Sequence, residues 1–148
     1  MNIKFKIIPS ENILEIIPLL QQLNKLTPKY LLEERIIQMS KLAYYECIGA
    51  FENEKLIGIC GLWYSVRHYI GTSVEPDHVV IDENYRNKNI GNLLFDWIEN
   101  YVKQKGCEAI ELNSYTANRK SHKFYHKKNF EIYGFHYVKV IRDDKEFH

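Results

Sequence analysis

Residues Val79-Val80-Ile81-Asp82-Glu83-Asn84-Tyr85-Arg86-Asn87-Lys88-Asn89-Ile90-Gly91 pass from an apolar β-branched triplet through a short polar stretch into a periodic segment. The triplet reads as the end of a strand. Beyond it, Ile90, Leu93, Leu94, Trp97, Ile98, Tyr101 and Val102 fall at i, i+3, i+4, i+7, i+8, i+11 and i+12. That spacing predicts a helix over 90–105 with one apolar stripe, stopped by Gly106. A strand–loop–helix junction leaves several first-turn amides without an intrahelical partner, under the positive end of the helix dipole. Such a junction suits an anion, a phosphate above all. Arg86 and Lys88 add positive charge, and Gly91 admits close approach to the backbone. Taken alone, the stretch also reads as an ordinary loop-to-helix junction with solvated charges.

The flanks supply the rest of the fold. Residues 2–8 read as a strand ended by Pro9, and Ser10 as the N-cap of a helix over 11–24, with a kink or break expected at Pro18. Thr27-Pro28 reads as a second helix start, the helix running to Leu42 with Leu32, Ile36 and Met39 inward. Strands are expected over 44–51 and 56–64, joined by the turn at 52–55, and a fourth over 73–81. After the helix at 90–105 come a strand over 108–115, a short helix over 119–128 closed by Asn129, and a last strand over 130–141. The hairpins give antiparallel pairs, and the later β-α-β unit needs a crossover and a parallel pair. The expected fold class is α/β (α+β): a mixed, mainly antiparallel central sheet with helices on both faces, one domain over 1–148.

Bulk properties narrow the function. The chain has 148 residues, 45% of them apolar and 26% charged, which fits one soluble globular domain. A net charge of +1 gives no general reason to expect nucleic acid or an anionic membrane as partner. Cys47, Cys60 and Cys107 are few, odd in number and far apart, and read as free thiols in a reducing compartment. The N-terminus lacks a signal peptide's apolar core, and no apolar run is long enough to span a bilayer, so the cytoplasm is the expected location.

A second stretch carries further weight: Asn118-Arg119-Lys120-Ser121-His122-Lys123-Phe124-Tyr125-His126-Lys127-Lys128-Asn129-Phe130. Phe124 and Tyr125 read as core residues when taken alone. His122 and His126 share one helix face, but no third ligand stands nearby and no metal is expected. With the first stretch, this one resembles the GNAT superfamily of N-acetyltransferases. The family's loop pattern, Arg/Gln-x-x-Gly-x-Gly/Ala, is matched by Arg86-Asn87-Lys88-Asn89-Ile90-Gly91. Its later pattern is matched by Asn118, Ser121, Phe124-Tyr125 and Asn129-Phe130. The resemblance covers nearly the whole chain and is strongest from about residue 73 to 135. Asn replaces the family glycine at 89 and 129. Asn tolerates positive φ, so Asn129 is harmless, whereas the Asn89 side chain either crowds a pyrophosphate or hydrogen-bonds to it.

The resemblance implies acetyl-CoA as co-substrate and an amine as acceptor, with direct attack of the amine on the thioester. Residues Arg86, Asn87, Lys88, Asn89, Ile90, Gly91 and Asn92 would hold the pyrophosphate. Val79, Val80 and Ile81 would pair with the pantetheine arm and polarise the thioester carbonyl. Asn118 would hydrogen-bond the pantetheine or adjacent backbone, and Tyr125 would protonate the leaving thiolate. Asp77, then Glu75, is the expected base. Strand alternation puts Glu75 and Asp77 on one face and His78 on the other, with Pro76 marking an edge or bulge. Tyr30, Tyr44, Tyr45, Trp63, Tyr64, Tyr69, Tyr133 and Tyr137, with Glu33, Glu34 and Glu46, are acceptor-pocket candidates, or core and surface residues. A homodimer through the last strand is compatible with the sequence. Three rivals remain: a non-catalytic acyl-CoA-binding module, another nucleotide-phosphate binder, and a structural interaction protein.

Overall fold

Alternating apolar residues in the middle of the chain build a sheet in the order β1-β2-β3-β4-β5, seen in a computed structural model that describes residues 1–147. The strands are β1 (Ile3–Ile8), β2 (Tyr45–Glu52), β3 (Lys55–Arg67), β4 (Gly71–Ile81) and β5 (Ala109–Ile110). The first four pair antiparallel in chain order. Asn53 and Glu54 turn the β2–β3 hairpin with φ 47 and 66, as a tight two-residue turn requires. β5 runs parallel to β4 through Ser73↔Ala109 and Val74↔Ile110.

Helices cover both faces of this sheet. A 3-10 stretch (Ser10–Ile16), α1 (Ile17–Leu23) and α2 (Lys29–Ser40) bury Ile13, Ile16, Ile17, Leu20, Leu32 and Ile36 against Tyr45, Cys47, Ile59 and Val80. On the other face α3 (Ile90–Gln104) packs Leu94, Ile98 and Val102 on Ile48, Cys60, Leu62 and Val74. Each such side chain stabilises the fold by about 1.5–3 kcal/mol.

Several sequence expectations shift. The break expected at Pro18 falls just before it, where 3-10 geometry ends at Ile16 and Pro18 enters the first turn of α1. Ser10 does not cap: its hydroxyl donates to the Ser40 carbonyl, 3.1 Å away, and ties the two helical segments together. Thr27 does not cap either, because the extended Pro28 occupies the N-cap of α2. On α3, Leu93 is 43% exposed and Phe95 is 4% exposed. At about 100° per residue, Phe95 lies about 60° from the central Ile98 and Leu93 about 140°, so the stripe is wider on the Phe95 side.

The chain divides into two units, Met1–Glu111 and Leu112–His148. The second contains α4 (Arg119–Lys127) and Asn129 in the left-handed conformation just past its end, φ 64. The strand expected over 108–115 is reduced to the two residues of β5, and the strand expected over 130–141 does not form. A strand exists through its partner's hydrogen bonds, and residues 130–141 have no strand in their unit to pair with. Among the described residues no helix is long and apolar enough to cross a membrane.

Candidate functional site

The centre of the site is a β-bulge in β4. Asp77 opposes Gly61 and Val80 opposes Ile59, so His78 and Val79 share the single partner Cys60. The extra residue is taken up at His78, whose φ is 35. Before the bulge, Thr72 and Val74 turn their carbonyls toward β5, accepting from Glu108 (2.7 Å) and Glu111 (2.9 Å). The next position on that edge is Pro76, which has no N–H to donate, and the parallel ladder stops there. Beyond the bulge, Asp82 N–H donates to Ile57 at 2.9 Å, so the even-numbered positions now face β3. Val79 and Ile81 therefore present their backbone groups to the edge that β5 has left.

The same extra residue corrects the expected facing of His78. Its imidazole lies on the face of Glu75 and Asp77, with Nε2 2.7 Å from the Tyr45 hydroxyl. Gly61 makes room for it: a Cβ there would stand 2.7 Å from Cδ2 and 2.8 Å from Cε1, and closer still to Nε2. Burial pushes the imidazole below its ordinary 6.5, against the opposing pull of Asp77, and holds it neutral. Nδ1 is shielded and has no hydrogen-bond partner among the described residues. Asp77 is exposed but fixed, accepting from the Trp63 indole N–H (3.0 Å) and the His78 amide (2.7 Å). Glu75 pairs in register with Trp63 on the same face. The Tyr45–His78 pair escaped the sequence reading. Its available signal was the isolated Gly61 inside a strand pattern, which marks a bulge or close approach.

The loop from β4 to α3 is held from within. Asp82 accepts from the Asn84 amide at 2.9 Å, and Arg86 Nε donates to the Ile81 carbonyl at 3.2 Å. The Lys88 ammonium sits 4.8 Å from the Tyr85 ring centroid. Asn87 and Asn89 adopt φ 62 and 64, the left-handed region that Asn tolerates. The Asn89 Oδ1 accepts from Asn92 Nδ2 at 2.6 Å, which ties that side chain to the helix start. Leu93 N–H closes the first helical bond on Asn89, so the amides of Ile90 and Gly91 lie ahead of the intrahelical ladder. Successive amides with alternating left-handed residues form an anion-binding concavity.

In the second unit, the Asn118 side chain caps α4 by accepting from Ser121 N–H at 3.2 Å. Tyr125 packs edge-on to Phe124 and Phe130, at 5.4 and 5.6 Å between centroids. His122 Nε2 is hydrogen-bonded to the Tyr115 carbonyl at 2.8 Å. No group of three or more metal-ligating side chains occurs among the described residues.

The acceptor candidates separate. Tyr44, Tyr45 and Trp63 cluster, with Trp63 4.7 Å from Tyr45 and 5.9 Å from Tyr44. Glu46 and Tyr64 lie on the α3 face instead, hydrogen-bonded to each other, and Glu46 takes Lys105 at 3.1 Å. Tyr69 donates to Glu111 at 2.9 Å, alongside Ser73 at 2.6 Å. These bonds, Ser73's first, hold the Glu111 carboxyl below the usual range and lock the β3–β4 connection to β5. Glu33 pairs with Lys29 at 3.7 Å, and Tyr30 is exposed. No strand carries Tyr133 or Tyr137.

Known proteins share this fold. An aminoalkylphosphonate N-acetyltransferase of Salmonella typhimurium is 26% identical over 93 residues, 62% of this chain and 60% of that relative's length. A possible acetyltransferase from Clostridium difficile 630 superposes with TM-score 0.81 at 18% identity, covering 96% of this chain and all of that one. An aminoglycoside N-acetyltransferase solved with CoA gives TM-score 0.81 at 13% identity, covering 95% of each chain. At these identities the superpositions establish the fold alone. Residues 16–130, more than three quarters of the chain, match the acetyltransferase (GNAT) family, and the chain belongs to it.

Proposed function

We propose that this chain transfers an acetyl group from acetyl-CoA to a primary amine by direct attack in a ternary complex, as one catalytic domain over 1–148. The observation that carries the reading is the junction itself: a β4 edge at Val79 and Ile81, beyond the reach of β5, leading into the first-turn amides of Ile90 and Gly91 at the start of α3. An extended amide-bearing arm fits such an edge as an added strand, and a pyrophosphate fits the concavity at Asn87–Gly91. Acetyl-CoA supplies the activated thioester. A backbone amide of Val79 or Ile81 stabilises negative charge growing on the carbonyl oxygen. Asp77 accepts the amine's proton, with Glu75 as the second candidate, and Tyr125 returns a proton to the departing thiolate. Asn118, whose Oδ1 is used in capping, has its Nδ2 to offer the pantetheine arm. Lys88 and Asn92 contribute at the loop, while Arg86 chiefly clamps it.

In this reading the enzyme works in the cytoplasm, as its three free thiols suggest, and light scattering tests whether it forms the homodimer that the sequence allows. Calorimetry with acetyl-CoA tests the core. Micromolar binding is expected for the wild type and loss of binding for Gly91→Asp, whose carboxylate opposes the pyrophosphate. A folded wild type that ignores millimolar acetyl-CoA overturns the proposal.

A further inference from the structure

Aromatic rings and a fixed carboxylate meet at the β4 bulge. Tyr44 is 52% exposed, so its ring is not spent on the core, and it flanks Trp63 at 5.9 Å. The Trp63 indole donates to Asp77 at 3.0 Å. Both Asp77 oxygens are taken by neutral donors, and among the described residues no salt bridge reaches it. Arg67 is committed to Glu111 at 3.6 Å, and Lys105 to Glu46 on the opposite face. Beside Asp77 the shielded His78 Nδ1 lacks a partner, and a native structure seldom leaves a buried polar atom unmet unless a site accounts for it.

Resting on the acetyl-transfer reading above, we infer that the acceptor is an amine carrying two or more positive charges on a short spacer. The nitrogen to be acetylated faces Asp77, and a second ammonium rests on the rings of Trp63 and Tyr44. A carboxylate uncompensated by protein cations, with rings whose faces are electron-rich, favours such a ligand. The same charge repels an amine that carries a phosphonate.

The test is steady-state kinetics on the whole chain with spermidine, sisomicin, n-butylamine and 2-aminoethylphosphonate, beside calorimetry with acetyl-CoA. Spermidine and sisomicin are expected to exceed n-butylamine in kcat/KM by about tenfold or more, with 2-aminoethylphosphonate lowest. Trp63→Leu is expected to raise KM for spermidine about tenfold and to leave acetyl-CoA affinity unchanged. Tyr44→Ala, at an exposed position, raises it about threefold without touching the core. Trp63→Phe keeps a ring but loses the N–H to Asp77, so KM is largely retained while kcat falls. Preference for n-butylamine or 2-aminoethylphosphonate overturns the inference, as does an unchanged spermidine KM in both Trp63→Leu and Tyr44→Ala. Failure of acetyl-CoA to bind overturns the reading beneath it, a separate and recognisable result.

Discussion

Substituting Gly61 by Ala tests the packing on which the bulge depends. The new methyl would press on the His78 ring, which is braced against Tyr45 and cannot swing aside freely. Overpacking of this kind costs about 1–3 kcal/mol. Displacing the ring also breaks the 2.7 Å Tyr45–His78 bond and leaves a buried polar group unmet, another 1–3 kcal/mol or so. The sum, about 2–6 kcal/mol, is a large part of a typical domain's roughly 5–15 kcal/mol. At about 2–4 °C per kcal/mol for a chain of this size, the melting temperature should fall by about 4–24 °C. Circular dichroism melts of Gly61→Ala, His78→Ala and the double variant form a cycle. With the ring removed, the methyl loses its three tightest contacts, so the double variant should cost at least about 1 kcal/mol less than the sum of the singles. In Gly61→Ala, kcat/KM for the acceptor should fall while acetyl-CoA affinity changes little, because the loop to α3 is untouched. A single variant that melts with the wild type, or a strictly additive cycle, would refute the reasoning.

Burial keeps His78 neutral in the fold, while the unfolded chain takes up a proton near the ordinary 6.5. Stability therefore falls as pH drops below about 6.5, and His78→Gln should lose less stability than the wild type between pH 7.5 and 5.5 in urea titrations. Equal losses would contradict a depressed histidine. Tyr125→Phe keeps the ring between Phe124 and Phe130 and removes the proton donor, so kcat should drop about 100-fold or more with acetyl-CoA affinity nearly unchanged; an unaltered kcat excludes Tyr125 as the acid. At Asn89, φ 64 makes alanine costly by about 1–2 kcal/mol and glycine harmless. Differential scanning calorimetry should show Asn89→Ala melting below both Asn89→Gly and wild type, and coincident melts would mean that the left-handed turn carries no strain.

Much of the architecture was legible because its signals are local and periodic. The spacing from Ile90 to Val102 fixed α3, Gly106 ended it with φ 86, and Asn53 turned the hairpin. The left-handed positions at Asn89 and Asn129 followed from what Asn tolerates. Helix caps were less legible. Ser10 and Thr27 have capping chemistry, but a tertiary bond to Ser40 and the placement of Pro28 decided their geometry. The strand over 108–115 is cut to the two residues of β5 and the one over 130–141 does not form, for a different cause. Strand propensity speaks of one chain, whereas a strand needs a neighbour, and β4 withdraws its edge at Pro76.

The site shows how one residue defeats a period-two reading. Alternation counted along β4 separates His78 from Asp77, and it holds only while every residue has one partner. Once Cys60 faces both His78 and Val79, the count shifts by one. Two outcomes follow from that single insertion. The imidazole joins the carboxylates on one face, and the amides of Val79 and Ile81 turn outward to the open edge. Without the insertion, β4 would turn those amides toward β3 and the edge would offer nothing to an extended arm. The positive φ at His78, the cleared space at Gly61 and the Tyr45 hydroxyl are thus parts of one device, which turns the backbone groups of Val79 and Ile81 outward and gathers the side chains of Glu75, Asp77 and His78 on one face.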